Sequence, residues 1–134
     1  MFVVDAPVYV FEQTSGGGGL TISNGNPREE IAQQFTAGHV LVDQYISQCT
    51  WFLKKSLGSP SGNMFSYIRE SDGTLREQSS NSLDASGIGT GEAEYTFTFS
   101  GNTKLLVDEM LTICLDNGTG GSGNTIACVT GSGA

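Results

Sequence analysis

The sequence predicts an all-β domain built as an antiparallel β-sandwich of two sheets. Several short stretches alternate apolar and polar residues, which is typical of half-buried strands rather than helices. The 134 residues include 19 glycines, and only 15% of them are charged, which indicates a chain rich in turns. A single open sheet would leave half of the alternating apolar side chains in water, whereas two sheets packed face to face bury them.

The first 30 residues predict a strand or arm followed by a glycine-rich loop. Residues 2–11 alternate in polarity, but Pro7 lacks the N–H that a ladder needs, so this segment is expected at a sheet edge or as an arm. Residues 15–19 contain a run of glycines that indicates a flexible loop. Residues 20–22 predict a short strand that ends before a turn at 24–27.

Residues 31–116 are predicted to form the core of the sandwich. Residues 29–36 fit a helix or a short strand, and their alternation favours the strand. Residues 58–62, Gly-Ser-Pro-Ser-Gly, predict a turn that joins antiparallel strands, and residues 72–73 mark a second turn. Residues 79–91 predict a polar loop that tucks two apolar side chains inward. The inward-facing set is Cys49, Trp51, Leu53, Leu83, Ile88, Tyr95, Phe97, Phe99, Leu111, Ile113 and Leu115.

Residues 117–134 predict a glycine-rich tail that contains one short strand, at 125–130. The chain is therefore expected to have three parts: an N-terminal strand and glycine-rich loop at 1–30, the sandwich core at 31–116, and this tail. The first and last parts are the glycine-rich terminal arms of the predicted sandwich.

The composition argues against several classes of function. The net charge is −8 and only six residues are lysine or arginine, whereas binding to nucleic-acid phosphates needs clustered basic side chains. No apolar run approaches the ~18 residues needed to cross a bilayer, so no membrane partner is expected. The N-terminus lacks the features of a secretory signal, which predicts synthesis in the cytoplasm. Three cysteines without short spacing indicate neither a disulfide framework nor a zinc site.

The sequence contains no recognised catalytic arrangement. His39 is the single histidine, so a Ser-His or Cys-His nucleophile is not indicated and a loop role is favoured. The glycines at 87–91 lack the preceding strand and following helix of a phosphate-binding loop. We therefore predict that the protein is not an enzyme.

Acidic residues at the ends of strands and loops are the candidates for a structural calcium ion. They lack the close spacing of a dedicated calcium loop, so solvated charge is favoured and no cofactor is predicted. These residues are Asp72, Asp84, Asp108, Glu109 and Asp116.

Three aromatic side chains are the candidate contact site. Alternation places Phe52, Phe65 and Tyr67 on the outward side of their strands, where they would form one exposed patch if residues 49–53 and 64–68 were neighbouring strands. The alternative is that a loop or the N-terminal arm covers them. An exposed aromatic patch binds a protein or stacks on sugar rings, and the few asparagine and glutamine donors nearby favour a protein.

The order of residues along the chain resembles a known family of modules. The runs that carry the resemblance are AQQFT at 32–36, FLKK at 52–55, GSPSGN at 58–63, IR at 68–69, SLDAS at 82–86 and YTFTF at 95–99. They resemble jelly-roll sandwich modules that occur as repeats in bacterial and archaeal surface proteins and in virion proteins of tailed viruses. These modules are similar to carbohydrate-binding and galactose-binding-like domains. The resemblance covers residues 31–115 and implies a scaffold, from which sugar binding does not follow.

The chain departs from this family at its C-terminal end. Such modules finish with one or two further strands after the one that corresponds to residues 105–115. Here a glycine-rich segment and the short strand at 125–130 stand in that place. The missing partner strand is expected to come from residues 2–11 or from another subunit.

Three observations predict a non-enzymatic structural protein of a virion: a compact sandwich without catalytic motifs, no secretory signal, and glycine-rich terminal arms suited to docking on neighbours. The favoured role is a capsid decoration or head-surface protein, with a tail component as a variant. It would contact copies of itself, in a homo-oligomer such as a trimer, and a larger capsid or tail protein. Two alternatives stay open: a glycan-binding module that uses the same patch or a loop end, and an extracellular surface-layer or filament unit whose signal was removed.

Overall fold

The computed structural model describes residues 3–4, 20–23, 30–116 and 125–128. The predicted arm, loop and tail segments at 5–19, 24–29, 117–124 and 129–134 lie outside the described residues. Residues Ala85–Gly87 form a short 3-10 helix. The strands are β1 (Val3–Val4), β2 (Leu20–Ser23), β3 (Glu30–Gln34), β4 (Tyr45–Ile46), β5 (Gln48–Leu57), β6 (Asn63–Arg69), β7 (Leu75–Gln78), β8 (Leu83–Asp84), β9 (Ala93–Thr98), β10 (Met110–Asp116) and β11 (Thr125–Cys128).

The strands form two antiparallel sheets, which confirms the predicted all-β sandwich. The first sheet has the order β3-β10-β6-β7, and β8 also pairs with β6. The second sheet has the order β2-β11-β5-β9. The short strand β1 pairs in parallel with β4, apart from both sheets. In the described part of the chain no helix is long and apolar enough to span a membrane.

The strand order is that of an eight-stranded jelly roll. Four pairs, β2 with β11, β3 with β10, β5 with β9, and β6 with β7, are nested as in one long hairpin rolled into two sheets. Along each arm of this hairpin, successive strands therefore alternate between the sheets. The strands that are consecutive in sequence, β5 and β6, lie in different sheets for this reason.

The core lies between the two sheets and contains the side chains that alternation predicts. Trp51 and Phe97 of the second sheet and Ile113 of the first are among the largest buried side chains. Tyr95 and Leu83 are half-buried against this core. The other predicted inward side chains that are buried are Cys49, Leu53, Ile88, Phe99, Leu111 and Leu115.

The sandwich extends past the predicted core of 31–116 on both sides. Ile22 on β2 and Ile126 on β11 are fully buried in the same core. In the described residues, β11 pairs with β5 on one side and with β2 on the other. The chain therefore supplies its own last strand, and the expectation that residues 2–11 or another subunit fill that place was wrong.

The glycine-rich connection at 58–62 bridges the sheets instead of closing a hairpin between paired strands. Gly58 and Gly62 have φ of 68° and 108°, a backbone conformation that residues with a side chain rarely adopt. With these two glycines the connection turns the chain from one sheet to the other. By contrast, the turn predicted at 72–73 does close a hairpin, between β6 and β7. Gly73 has φ 95°, and the N–H of Glu70 donates to the carbonyl of Thr74 at 2.8 Å.

One buried serine links the two layers. The Ser66 hydroxyl on β6 donates to the carbonyl oxygen of Thr112 at 2.6 Å and accepts from Nε1 of Trp51 at 3.1 Å. The thiol of Cys49 lies 3.3 Å from the same oxygen. Because Trp51 and Cys49 belong to β5 in the opposite sheet, these contacts fix how the sheets face each other. The polar side-chain atoms of Ser66, Trp51 and Cys49 are all hydrogen-bonded in this cluster. Among the described residues, the buried hydroxyl group of Thr112 has no hydrogen-bond partner.

Candidate functional site

The three aromatic side chains of the predicted patch do not lie together. Phe52 is on β5 and points away from the core on the outer face of the second sheet. Phe65 and Tyr67 are on β6 and point away from the core on the outer face of the first sheet. The predicted single patch was wrong because it required β5 and β6 to be neighbours in one sheet.

The two aromatic rings on the first sheet form a stacked pair in which Tyr67 is covered and Phe65 is half-buried. Phe65 and Tyr67 stack with centroids 6.3 Å apart and an interplanar angle of 27°. The guanidinium carbon of Arg69 lies 4.7 Å from the centre of the Tyr67 ring. Glu30 holds this guanidinium through Nε–Oε2 and Nη2–Oε1 contacts of 2.6 and 3.1 Å. Tyr67 is consequently only 8% exposed.

The hydrogen bond between Arg69 and Glu30 has an electrostatic effect as well as a steric one. It raises the pKa of Arg69, and the guanidinium, which is charged in any case, lies over the Tyr67 ring. The outer face of the first sheet therefore presents an ion pair above the Tyr67 ring, which leaves little of that ring face open for a sugar.

Three loops meet at one end of the sandwich, which we call the loop end. They are residues 35–44 between β3 and β4, residues 70–74 between β6 and β7, and residues 99–109 between β9 and β10. The register places the facing ends of β3, β6 and β7 next to the start of β10, so these loops emerge on the same side.

Backbone hydrogen bonds hold two of these loops together. The Phe35 N–H donates to the Glu109 carbonyl at 3.0 Å, and the Asp108 N–H donates to the Phe35 carbonyl at 2.8 Å. Further along, the Asp43 N–H donates to the Leu105 carbonyl at 2.6 Å. Asp43 and Asp108 have φ of 70° and 67°, a left-handed conformation that costs a non-glycine residue about 1–3 kcal/mol. The surrounding contacts therefore impose the shape of these loops.

A buried carboxylate, that of Glu109, connects strand β7 to the loop at 99–109. Glu109 is 4% exposed, and its Oε1 accepts from Nη1 of Arg76 on β7 at 2.6 Å and from the Leu106 N–H at 2.8 Å. The same Nη1 donates to the Lys104 carbonyl at 2.6 Å. This ion pair ties β7 to the loop at 99–109 and fixes the backbone that carries Leu106.

Exposed apolar side chains are concentrated at the loop end. Among the described residues, five large hydrophobic side chains are exposed, and four of them lie here: Val40 at 73%, Leu75 and Val107 at 48%, and Leu106 at 42%. The fifth, Leu57, lies at the opposite end. Sequence reasoning missed this set. The only signal is a short apolar run in each of two loops, and such runs are usually buried.

The charges around these side chains are mainly negative. Asp43, Glu70, Asp72 and Asp108 are exposed carboxylates in the three loops. The lysine of these loops, Lys104, is half-buried, and its Nζ lies over the Tyr45 ring at 5.6 Å from the centroid. The loop end is therefore an apolar surface with an acidic rim.

The residues considered for metal or catalytic chemistry have local structural roles. Hydrogen bonds from Thr74 lower the pKa of Asp72, and those from Ser86 lower the pKa of Asp84. His39 packs edge-on against Phe35 with ring centroids 4.7 Å apart. The side chain of Asp116 lies outside the described residues. Within the described ranges no three acidic, histidine or cysteine side chains come together as metal ligands.

Comparison of the chain with protein-family models, with curated proteins and with solved structures found no match. The strand order and the loop end are thus the features of the molecule that point to a function.

Proposed function

We propose that this protein is a non-enzymatic structural component of a virion that acts through protein–protein contacts. The favoured role is a capsid decoration or head-surface protein, and a tail component is its variant. The jelly-roll strand order supports this proposal because capsid domains commonly use it. The same fold also serves other functions, so the rest of the support for this proposal comes from the features of the protein surface.

The observation that carries the proposal is the apolar loop end. Large exposed apolar side chains that gather in one region are typical of protein contact surfaces. Val40, Leu106 and Val107 lie on loops that backbone hydrogen bonds join, and the Arg76–Glu109 pair braces them. A contact surface that is already ordered loses little conformational entropy on binding, which favours affinity.

The proposed partner is a larger capsid or tail protein that receives the loop end. Copies of the chain in a homo-oligomer such as a trimer are the second proposed contact, and the sandwich faces are available for it. In this proposal the protein is made in the host cytoplasm and resides in the virion.

The test uses two variants, each with substitutions at a different end of the sandwich. Leu106→Ser with Val107→Ser removes apolar side chains from the loop end, and Leu57→Ser is the matched control at the opposite end. Tagged chains are produced in cells that make the corresponding particles, and the particles are purified on a density gradient. We expect the original chain and the control to co-purify with particles, and the double variant to be depleted about tenfold or more.

Circular dichroism and thermal unfolding establish that both variants stay folded. Equal incorporation of the double variant would contradict a contact through the loop end. Absence of the unaltered chain from purified particles would contradict the virion role itself.

The glycan-binding and surface-layer alternatives stay predictions. Glycan stacking through Tyr67 would have to displace the Arg69–Glu30 pair from above the ring, which the contacts at 4.7 Å and 2.6 Å oppose. Titration of a glycan panel against the protein tests that alternative directly. Saturable binding that a Tyr67→Ala variant loses would favour it over the protein-contact proposal.

A further inference from the structure

The charges of the loop end restrict the kind of surface it can bind. Four exposed carboxylates, those of Asp43, Glu70, Asp72 and Asp108, lie at the loop end with the exposed apolar side chains. The cations there are engaged: Lys104 is half-buried over an aromatic ring, and Arg69 and Arg76 are paired with Glu30 and Glu109. Like charges placed against each other across an interface are unfavourable, and opposite charges speed association and favour the correct partner. The complementary surface is apolar with lysine or arginine at its edge.

Among the described residues, a second copy of the chain does not offer that surface. Two copies joined by their loop ends would bring the same carboxylates together, because such a contact is symmetric. The opposite end is also more acidic than basic among the described residues: Lys54 is exposed and Lys55 half-buried, against the exposed carboxylates of Asp84, Glu92 and Glu94. The partner is therefore a different protein.

We infer that the loop end docks on a protein whose contact surface is apolar at its centre and basic at its rim. This inference rests on the proposed function for the contact itself and adds the chemistry of the partner. The apolar side chains supply affinity when they leave water, and the carboxylates supply orientation and a fast, salt-sensitive association.

The test uses two synthetic helical peptides as defined probes. Both carry the same leucine face, and one has lysines along its flanks where the other has glutamates. Binding is measured by fluorescence anisotropy at about 50 and 500 mM NaCl. We expect the lysine peptide to bind about tenfold or more tightly at low salt, and this preference to fall several-fold at high salt.

Variants assign that preference to the loop end. Asp43→Asn with Asp108→Asn removes two charges, and asparagine tolerates the left-handed backbone at both positions. This variant is expected to lose most of the preference for lysine. Leu106→Ser with Val107→Ser is expected to weaken binding of both peptides, and Leu57→Ser is expected to change neither.

Three results would overturn the inference. The first is equal affinity for the two peptides, and the second is no binding of either below about 1 mM. The third is a self-associated species in sedimentation velocity that the Leu106→Ser, Val107→Ser variant abolishes, because it would make a second copy the occupant. Particle incorporation without a lysine preference leaves the proposed function standing, whereas a lysine preference without incorporation removes the virion role alone.

Discussion

Replacing the buried Ser66 with alanine is expected to destabilise the sandwich far more than the same substitution of a serine on the surface. The Ser66 hydroxyl oxygen is the acceptor for the indole N–H of Trp51, at 3.1 Å, and donates to the Thr112 carbonyl at 2.6 Å. Both Ser66 and Trp51 are fully buried, so water cannot replace the lost partner without opening the core.

The expected cost follows from these contacts. An indole N–H left buried without an acceptor costs about 1–3 kcal/mol, and loss of the hydrogen bond to Thr112 adds about 0.5–1.5 kcal/mol. The free energy of unfolding should therefore fall by roughly 2–4 kcal/mol. For a chain of 134 residues this corresponds to a decrease in Tm of about 7–14 °C.

Urea unfolding followed by tryptophan fluorescence measures this change, because Trp51 is the single tryptophan and is buried. Ser56→Ala, on the exposed side of β5, is the matched control and should change the free energy of unfolding by less than about 0.5 kcal/mol. Trp51→Phe removes the N–H, so the serine substitution should cost about 1–2 kcal/mol less in that background, as read by circular dichroism.

Two results would refute this account of Ser66. One is a loss below about 0.5 kcal/mol, which would mean that the hydroxyl group does not link the sheets. The other is a cost that stays the same whether residue 51 is tryptophan or phenylalanine. In that case the indole N–H does not depend on the serine, and the destabilisation comes from another source.

Two further predictions concern a thiol and a sheet edge. Burial raises the pKa of Cys49 to about 12, so its contribution to stability is full below about pH 9 and is lost as the pH rises towards 12. Iodoacetamide at pH 8.5 should therefore label the half-buried Cys114 well before Cys49, and peptide mapping by mass spectrometry measures the two rates. Equal rates of labelling would contradict the burial of the Cys49 thiol. The Asn81 side chain covers the outer edge of β9 by accepting from the Thr98 N–H at 2.7 Å and donating to the Thr96 carbonyl at 3.0 Å. Asn81→Ala should expose that edge and cause concentration-dependent association in light scattering beyond that of the unaltered chain. A mass equal to that of the unaltered chain at every concentration contradicts this role.

The strands and their inward faces could be predicted from the sequence because alternation is a local property. A strand that buries one face must carry apolar side chains at every second position, and Trp51, Phe97 and Ile113 follow that rule. Gly73, which closes the β6–β7 hairpin, could be predicted for a similar reason. Its φ of 95° is a conformation of a single residue, so the residue type at that position is enough to indicate the turn.

The candidate site depended on information that is not local. Alternation states whether Phe52 and Phe65 face outward, but it does not state which sheet each strand joins. That choice is made by β9, β10 and β11, which pair with β5 and β6 from far along the chain. The tertiary structure therefore decided that Phe52 lies on one face of the sandwich and Phe65 with Tyr67 on the other.

The same reason explains why the loop end was not predicted. Whether Leu106 and Val107 are exposed depends on how the loop at 99–109 is held, through the buried Glu109 and its contact with Arg76 on another strand. By itself the sequence determined the class of fold and the composition of its core, through short-range periodicity. Only packing between distant segments decided which apolar side chains remain in water, because exposure is a property of the assembled layers.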